Sequence, residues 1–273
     1  MNKKQIIGLV LVKNEDLYID RVILNILEFC DKVIVLDNNS SDNTYNILSE
    51  LALKNSKIDL HKINNLSSSQ DYIAEYIGTD TWIFAVDGDE IYDPGGLKKI
   101  KKLLYEGEFD NDWLVLGNLF HVISIDWSAK TAKGFLAPPS RGGTKLYNFS
   151  MIKKWDECPE RLHGGHIEFK KGFSADMRRY LLDEVDWDSS IFRLIHTTFL
   201  KRSSKQKSKM INARWNPGEI NKINRFKRLI SIKKFPKYLF KLFHFIFIRE
   251  SYKNKHYRRG KVYEKDISVF FDN

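Results

Sequence analysis

The sequence predicts an α/β domain on a mostly parallel sheet, followed by a basic, aromatic helical segment; three observations carry this expectation. Runs that are apolar almost throughout recur at residues 6–12, 33–36 and 81–86, as strands buried on both faces require. Apolar residues at helical spacing lie between such runs, beginning with Ile19, Val22, Ile23, Ile26, Leu27 and Cys30. From residue 201 onward Lys and Arg crowd among aromatic residues. Strand and helix in alternation imply parallel strands joined by right-handed crossovers.

In order, the first strand (residues 6–12) ends at Lys13-Asn14-Glu15-Asp16, where Asn14 is expected to cap a helix with two acids in its first turn. A second strand (33–36) ends in the loop and cap cluster Asp37-Asn38-Asn39-Ser40-Ser41-Asp42-Asn43, and Tyr45, Leu48, Leu51 and Ala52 continue as a helix. A third strand (58–63) precedes a helix at 69–77. The fourth (81–86) ends at Asp87-Gly88-Asp89-Glu90. Asp93-Pro94-Gly95-Gly96 reads as a turn before a basic amphipathic helix at 97–105. Beyond residue 112 a long strand (113–123), a Gly/Pro loop (134–143), strands at 144–149 and 166–173 and an intervening His163-Gly164-Gly165-His166 loop are expected. This divides the chain into residues 1–112, 113–204 and 205–273, the first two being halves of one domain.

Composition narrows the class. Apolar residues make up 42% and aromatics 13% of the 273, enough for a packed core. The formal charge of +10, concentrated late in the chain, suggests an anionic partner. Two distant cysteines make neither a disulfide framework nor a zinc pair. The apolar run at 6–12 is too short for a cleavable signal, and no run of about 18 apolar residues is present. The expectation is a cytoplasmic protein, with a peripheral place on the inner face of the cytoplasmic membrane left open.

In an open parallel sheet, ligands bind beyond the carboxyl ends of the strands. Three polar clusters follow strand ends here: Lys13-Asn14-Glu15, Asp37-Asn38-Asn39 and Asp87-Gly88-Asp89-Glu90. Together they suit a nucleotide with a cation near its phosphates. Two carboxylates separated by one glycine can turn toward one ion, and hard oxygen ligands favour Mg²⁺ or Mn²⁺. Alone, Asp-Gly-Asp is also an ordinary turn; its place after the fourth strand of an alternating series favours the functional reading. The absence of a Gly-rich phosphate loop after the first strand argues against an NTPase or a dehydrogenase.

Three segments in order resemble signatures of the family 2 glycosyltransferases, which have the GT-A fold. They are Leu11-Val12-Lys13-Asn14-Glu15, the run from Val35 to Thr44, and Phe84-Ala85-Val86-Asp87-Gly88-Asp89-Glu90. The resemblance implies that Asp37 contacts the base of a nucleotide-sugar donor, that Asp87 contacts the ribose or metal, and that Asp89 binds the metal. Val12, Asn14 and Glu15 would line the nucleotide pocket. One departure is visible: where the family often has an Arg-Asn pair, this chain has Ser69-Gln70-Asp71. In GT-A enzymes a late histidine commonly completes the metal site, which makes His196 the expected third ligand and Lys201 and Arg202 the expected diphosphate contacts. A core histidine beside a solvated basic run is the alternative.

The run Asp183-Glu184-Val185-Asp186-Trp187-Asp188 is similar to the family's acidic acceptor motif, so the expected catalytic base is Asp186, then Glu184, then Glu168. The resemblance implies an inverting transfer to an acceptor hydroxyl, and a surface or lipid-linked glycan is the expected acceptor. Residues 226–248 read as a basic, aromatic helix that either lies on an anionic membrane or packs on the domain. The rivals are a nucleotidyltransferase of related fold and a basic nucleic-acid-binding protein. Acidic strand ends weigh against the latter, so no nucleic acid partner is expected.

Overall fold

The computed structural model describes residues 4–143, 145–158, 162, 164–206 and 252–271. Along the chain come β1 (Gln5–Val12), α1 (Ile19–Leu27), β2 (Lys32–Asp37), α2 (Thr44–Lys54), β3 (Ile58–Lys62), a 3₁₀ helix (Leu66–Tyr76), β4 (Thr81–Asp87), β5 (Glu90–Tyr92) and α3 (Pro94–Glu106). They are followed by β6 (Leu114–Leu116), β7 (Asn118–Asp126), β8 (Thr131–Ala137), β9 (Lys145–Asn148), β10 (Ile152–Asp156), β11 (His166–Phe169), β12 (Arg178–Tyr180), α4 (Leu181–Glu184) and β13 (Arg193–His196). A short helix α5 (Tyr252–Tyr257) and β14 (Tyr263–Asp266) come last.

The strands form a seven-stranded sheet in the order β12-β6-β9-β4-β1-β2-β3, a five-stranded sheet β14-β8-β7-β13-β5 and the pair β10-β11. β4, β1, β2 and β3 are mutually parallel, as the alternating pattern predicts. Antiparallel β9 returns the direction, so β6 and β12 also end at the same edge as β4. Both faces of the large sheet's centre are covered, which is why β1, β2 and β4 are apolar almost throughout. Val10, Val35 and Phe84 face one core with α1 and α3; Leu9, Leu36 and Ile83 face the other with Ile73 and Trp113.

The expected long strand at 113–123 divides between the two sheets at Gly117. A Cβ there would lie 2.1 Å from the carbonyl oxygen of Phe192, so only glycine lets the chain pass from one sheet to the other. β4 and β5 make a second such passage at Gly88.

Other expectations are corrected. Asn14 caps no helix: its φ is 55° and its side chain accepts from Ser41 N (2.7 Å), while α1 begins only at Ile19. Asp93-Pro94-Gly95-Gly96 is not a separate turn but the start of α3, with Asp93 accepting from Gly96 N and Pro94 in the first turn. Residues 134–137 belong to β8 rather than a loop, because Gly134 lets β8 pass close to the carbonyl of His121. The expected helix at 69–77 is 3₁₀. The basic helix expected at 226–248 lies outside the described residues, as does His163. Among the described residues no helix is long and apolar enough to cross a membrane.

Candidate active site

The site is built where β4 hands over to β5. Gly88 carries the Asp-Gly-Asp backbone against the first strand: its N–H donates to Leu11 O (3.2 Å), and a Cβ would lie 2.8 Å from Glu15 Cγ and 3.0 Å from Val12 Cγ1. Glycine is needed here for the Glu15 side chain to lie against that backbone. Glu90 turns back, accepting from Asp87 N (3.0 Å) and Tyr92 Oη (3.4 Å).

Four buried side chains meet at this point. The Arg202 guanidinium hydrogen-bonds Asp89 Oδ2 and reaches Glu15 Oε1 at 3.4 Å; His196 Nε2 lies 3.4 Å from the same Asp89 oxygen. β13 lies between β5 and β7, so that His196 is level with Glu90 on one side and His121 on the other. Thr197 N donates to Asp89 O (2.9 Å) and fixes the end of the strand. Residues 201–206 close over the cluster. Leu17 N donates to Arg202 O, Ser203 Oγ donates to Asp42, and Ser204 donates through both N and Oγ to Asp16.

His121, which is fully buried, was not among the sequence-derived candidates. Its Nδ1 lies 3.0 Å from His196 Nδ1 and its Nε2 lies 2.9 Å from Arg141 O. A signal existed: an imidazole inside the apolar run Leu119-Phe120-His121-Val122. Tyr257 stacks on His121, with ring centroids 4.4 Å apart and planes 11° apart. Burial pushes the Tyr257 phenol above its usual range; Arg141 opposes this and nearby Asp87 and Glu90 add to it.

The side expected to take a nucleotide lies across the same edge. Asp37 is fully buried; its Oδ2 accepts from Ser40 N (3.1 Å), while Oδ1 has no hydrogen-bond partner among the described residues. Buried Gln70 likewise leaves both amide atoms unpartnered among the described residues. It lies three residues from Ile73 on the 3₁₀ helix, hence on the side turned to the sheet, in the half nearer the carboxyl edge. Val12 is buried and its carbonyl accepts from Asn38 N. Asn14 joins the loops after β1 and β2, its N donating to Ser40 Oγ (2.9 Å).

The remaining expected residues take places that the sequence did not foresee. Asp87 is half-buried, and among the described residues no three His, Cys, Asp or Glu side chains converge as a metal cage. Arg202 is inside the acidic cluster rather than on an open phosphate surface, and Lys201 is half-buried beside it. Asp186 is exposed and accepts from Ser189 N (2.9 Å), which holds its carboxyl below the ordinary range. Glu184 pairs with Arg179 through two contacts, and Glu168 pairs with Lys153.

The sequence profile of glycosyl transferase family 2 matches residues 9–166, more than half the chain, from the second half of β1 through the whole of β2, β3 and β4. The chain belongs to this family. This member of the family carries the mixed α/β, largely parallel GT-A architecture, with Asp37 and Asp87–Asp89 at its strand ends. No curated protein sequence matches it. Partial likeness is found to solved structures. Glucosyl-3-phosphoglycerate synthase from Mycobacterium tuberculosis, in complex with Mn²⁺, UDP and glucosyl-3-phosphoglycerate, is 20% identical over 43% of this chain and 44% of that one, with a TM-score of 0.32. The same synthase with phosphoglyceric acid is 17% identical over 57% and 61%, at 0.39. A Pyrobaculum calidifontis mannosyltransferase with GDP-mannose and Mn²⁺ is 14% identical over 41% and 34%, at 0.32. The chain thus spans less than two thirds of each of these proteins.

Proposed function

We propose that this glycosyltransferase moves a sugar, with inversion, from a nucleoside-diphosphate donor to a hydroxyl of a glycan or glycolipid, with Mn²⁺ or Mg²⁺ bound beside Asp89. The observation that carries this reading is the buried cluster of Asp89, Glu15, His196 and Arg202 at the carboxyl edge of the sheet, with the unpartnered Asp37 oxygen on the same edge.

The donor set fits the metal. A carboxylate oxygen and an imidazole nitrogen face each other 3.4 Å apart, beyond the about 2.7–3.2 Å of an N–H···O bond. Such ions are commonly held by one or two protein groups plus substrate phosphates, so a complete protein cage is not required. Asp89 and His196 would hold the ion, with Asp87 toward the ribose or the ion; when bound, the metal neutralises charge on the departing diphosphate.

The rest of the chemistry falls to the chain's own groups. Asp37 Oδ1 is suited to accept a base N–H, and Gln70 can donate to a neighbouring carbonyl. That pairing favours a base whose ring N–H adjoins a carbonyl, as in uracil or guanine. Lys201, half-buried beside the cluster, would supply positive charge on the diphosphate side, while Arg202 offsets the charge of Asp89 and Glu15. The acceptor's proton would pass to a carboxylate after β12, Asp186 before Glu184, because Glu184 is already engaged by Arg179. β12 lies three strands from β4, about 14 Å at roughly 4.8 Å per strand, which leaves room for donor sugar and acceptor between them. The lysine-rich C-terminal sequence supports an acceptor at an anionic membrane surface.

Thermal melts with a panel of nucleoside diphosphates and nucleotide sugars, with and without Mn²⁺, test the reading. Stabilisation by one base class that requires Mn²⁺ and disappears in Asp89→Ala is expected. Metal-independent binding, or full transfer activity in Asp89→Ala, would overturn the metal assignment.

A further inference from the structure

Residues 252–271 lie beyond the region matched by the family profile, yet they reach the centre of the site. Their anchorage is extensive. β14 adds to the edge of the second sheet by pairing with β8. Arg141 N donates to His256 O (2.9 Å), Arg259 N donates to Ser140 Oγ (3.1 Å), and Ser140 Oγ contacts Tyr257 O (3.0 Å). A Cβ on Gly260, where φ is 82°, would lie 2.8 Å from Pro139 Cγ. The strap is therefore seated on residues 139–141.

Those residues also hold His121. A carbonyl oxygen only accepts, so the 2.9 Å contact with Arg141 O puts a proton on His121 Nε2. In a neutral, fully buried His121 the other nitrogen is then an acceptor, and the 3.0 Å contact requires the proton to sit on His196 Nδ1. In the neutral form of His196 it is then Nε2 that carries the lone pair, and Nε2 faces Asp89 Oδ2 at 3.4 Å. One peptide, that of Arg141, thus ties the C-terminal strap on its N–H side and sets the hydrogen-bond relay on its carbonyl side.

Tyr257 completes the arrangement. It lies flat on His121 and edge-on to His196, with centroids 5.6 Å apart and planes at 66°, so neither imidazole can rotate without displacing it. We propose that His121 and Tyr257 are positioning residues which fix the tautomer and ring plane of His196, making the C-terminal strap a working part of the catalytic centre. The inference rests on the reading above in assigning His196 Nε2 to the cation. Partners of this kind orient metal-binding histidines, and losing one typically costs about 10–100-fold in metal affinity.

The test combines two readouts on the full chain. Long-range ¹H–¹⁵N spectra of the histidine rings, recorded without metal at a pH of about 8, report the His196 tautomer directly. Paramagnetic resonance titration with Mn²⁺ in the presence of UDP, and separately of GDP, reports metal affinity. Wild type is expected to show His196 protonated at Nδ1. His121→Phe and Tyr257→Ala should lose that single form and weaken Mn²⁺ binding about 10–100-fold. His121→Asn, which keeps an acceptor facing His196, and Tyr257→Phe, which keeps the stacked ring, should retain both properties and show that the fold survives. An unchanged tautomer in His121→Phe, or a wild-type His196 protonated at Nε2, would overturn the proposal. Loss of tautomer control in a protein whose wild type binds no Mn²⁺ would instead uphold the positioning relay and refute the metal reading.

Discussion

Gly88 and Glu15 are packed so closely that a single methyl group on Gly88 would lie 2.8 Å from Glu15 Cγ. The residue between the two aspartates is thus constrained by a side chain from the loop after β1. Overpacking of this kind costs about 1–3 kcal/mol, and Glu15 cannot move without disturbing Arg202. Gly88→Ala is expected to lower the melting temperature by several degrees and donor-dependent turnover at least about tenfold, the latter because the displaced carboxylate shifts the Arg202–Asp89 pair. Wild-type melting and kinetics in this variant would show that the close approach has no functional weight.

The pairing of Arg202 with Asp89 and Glu15 predicts a metal-sensitive defect. Removing one partner of a buried ion pair leaves uncompensated charge, typically at a cost of about 3–5 kcal/mol. Arg202→Ala should therefore unfold at much lower denaturant than wild type. Because a divalent cation can neutralise the same carboxylates, Mn²⁺ should restore more stability to the variant than it adds to wild type. Denaturation curves with and without Mn²⁺ decide the matter, and an equal Mn²⁺ effect on both proteins would count against a cation site there.

Asp42 predicts how the segment at 201–206 responds to acid. Burial alone would raise its carboxyl pKa, but hydrogen bonds from Ser203 and Thr44 outweigh that effect and hold it below the ordinary value. A carboxyl whose folded pKa lies below its unfolded value of about 3.9 stabilises the fold above that pH. That contribution is lost as the pH falls through the folded value. Ser203→Ala removes one of the stabilising bonds, so exposure of residues 201–206 should begin at a higher pH. Hydrogen exchange followed from neutral pH downward measures the onset; an onset identical to wild type would remove Asp42 from the clamp.

Much of the parallel part of the large sheet was legible in the residue order because its signals are local. Apolar runs at 6–12, 33–36 and 81–86 become β1, β2 and β4, and the acids after them emerge at one edge because parallel strands share a direction. The failures have local causes as well. Asn14 has the composition of a cap but spends its side chain on Ser41, and Asp93-Pro94-Gly95-Gly96 has the composition of a turn but starts α3. Gly117 falls inside the single strand expected at 113–123, whereas contact with Phe192 makes it the crossing between two sheets.

The sequence by itself determined the parallel sheet, the family, and Asp37, Asp87 and Asp89 at its strand ends, since short-range periodicity and contiguous motifs encode these features. Tertiary structure alone decided that Arg202 enters the acidic cluster and that Asp89 meets His196, 107 positions further on. It also decided that His121 and Tyr257, 136 positions apart, stack into one support. Those partnerships depend on strand register and on where distant segments return, and no local pattern of residues carries that information.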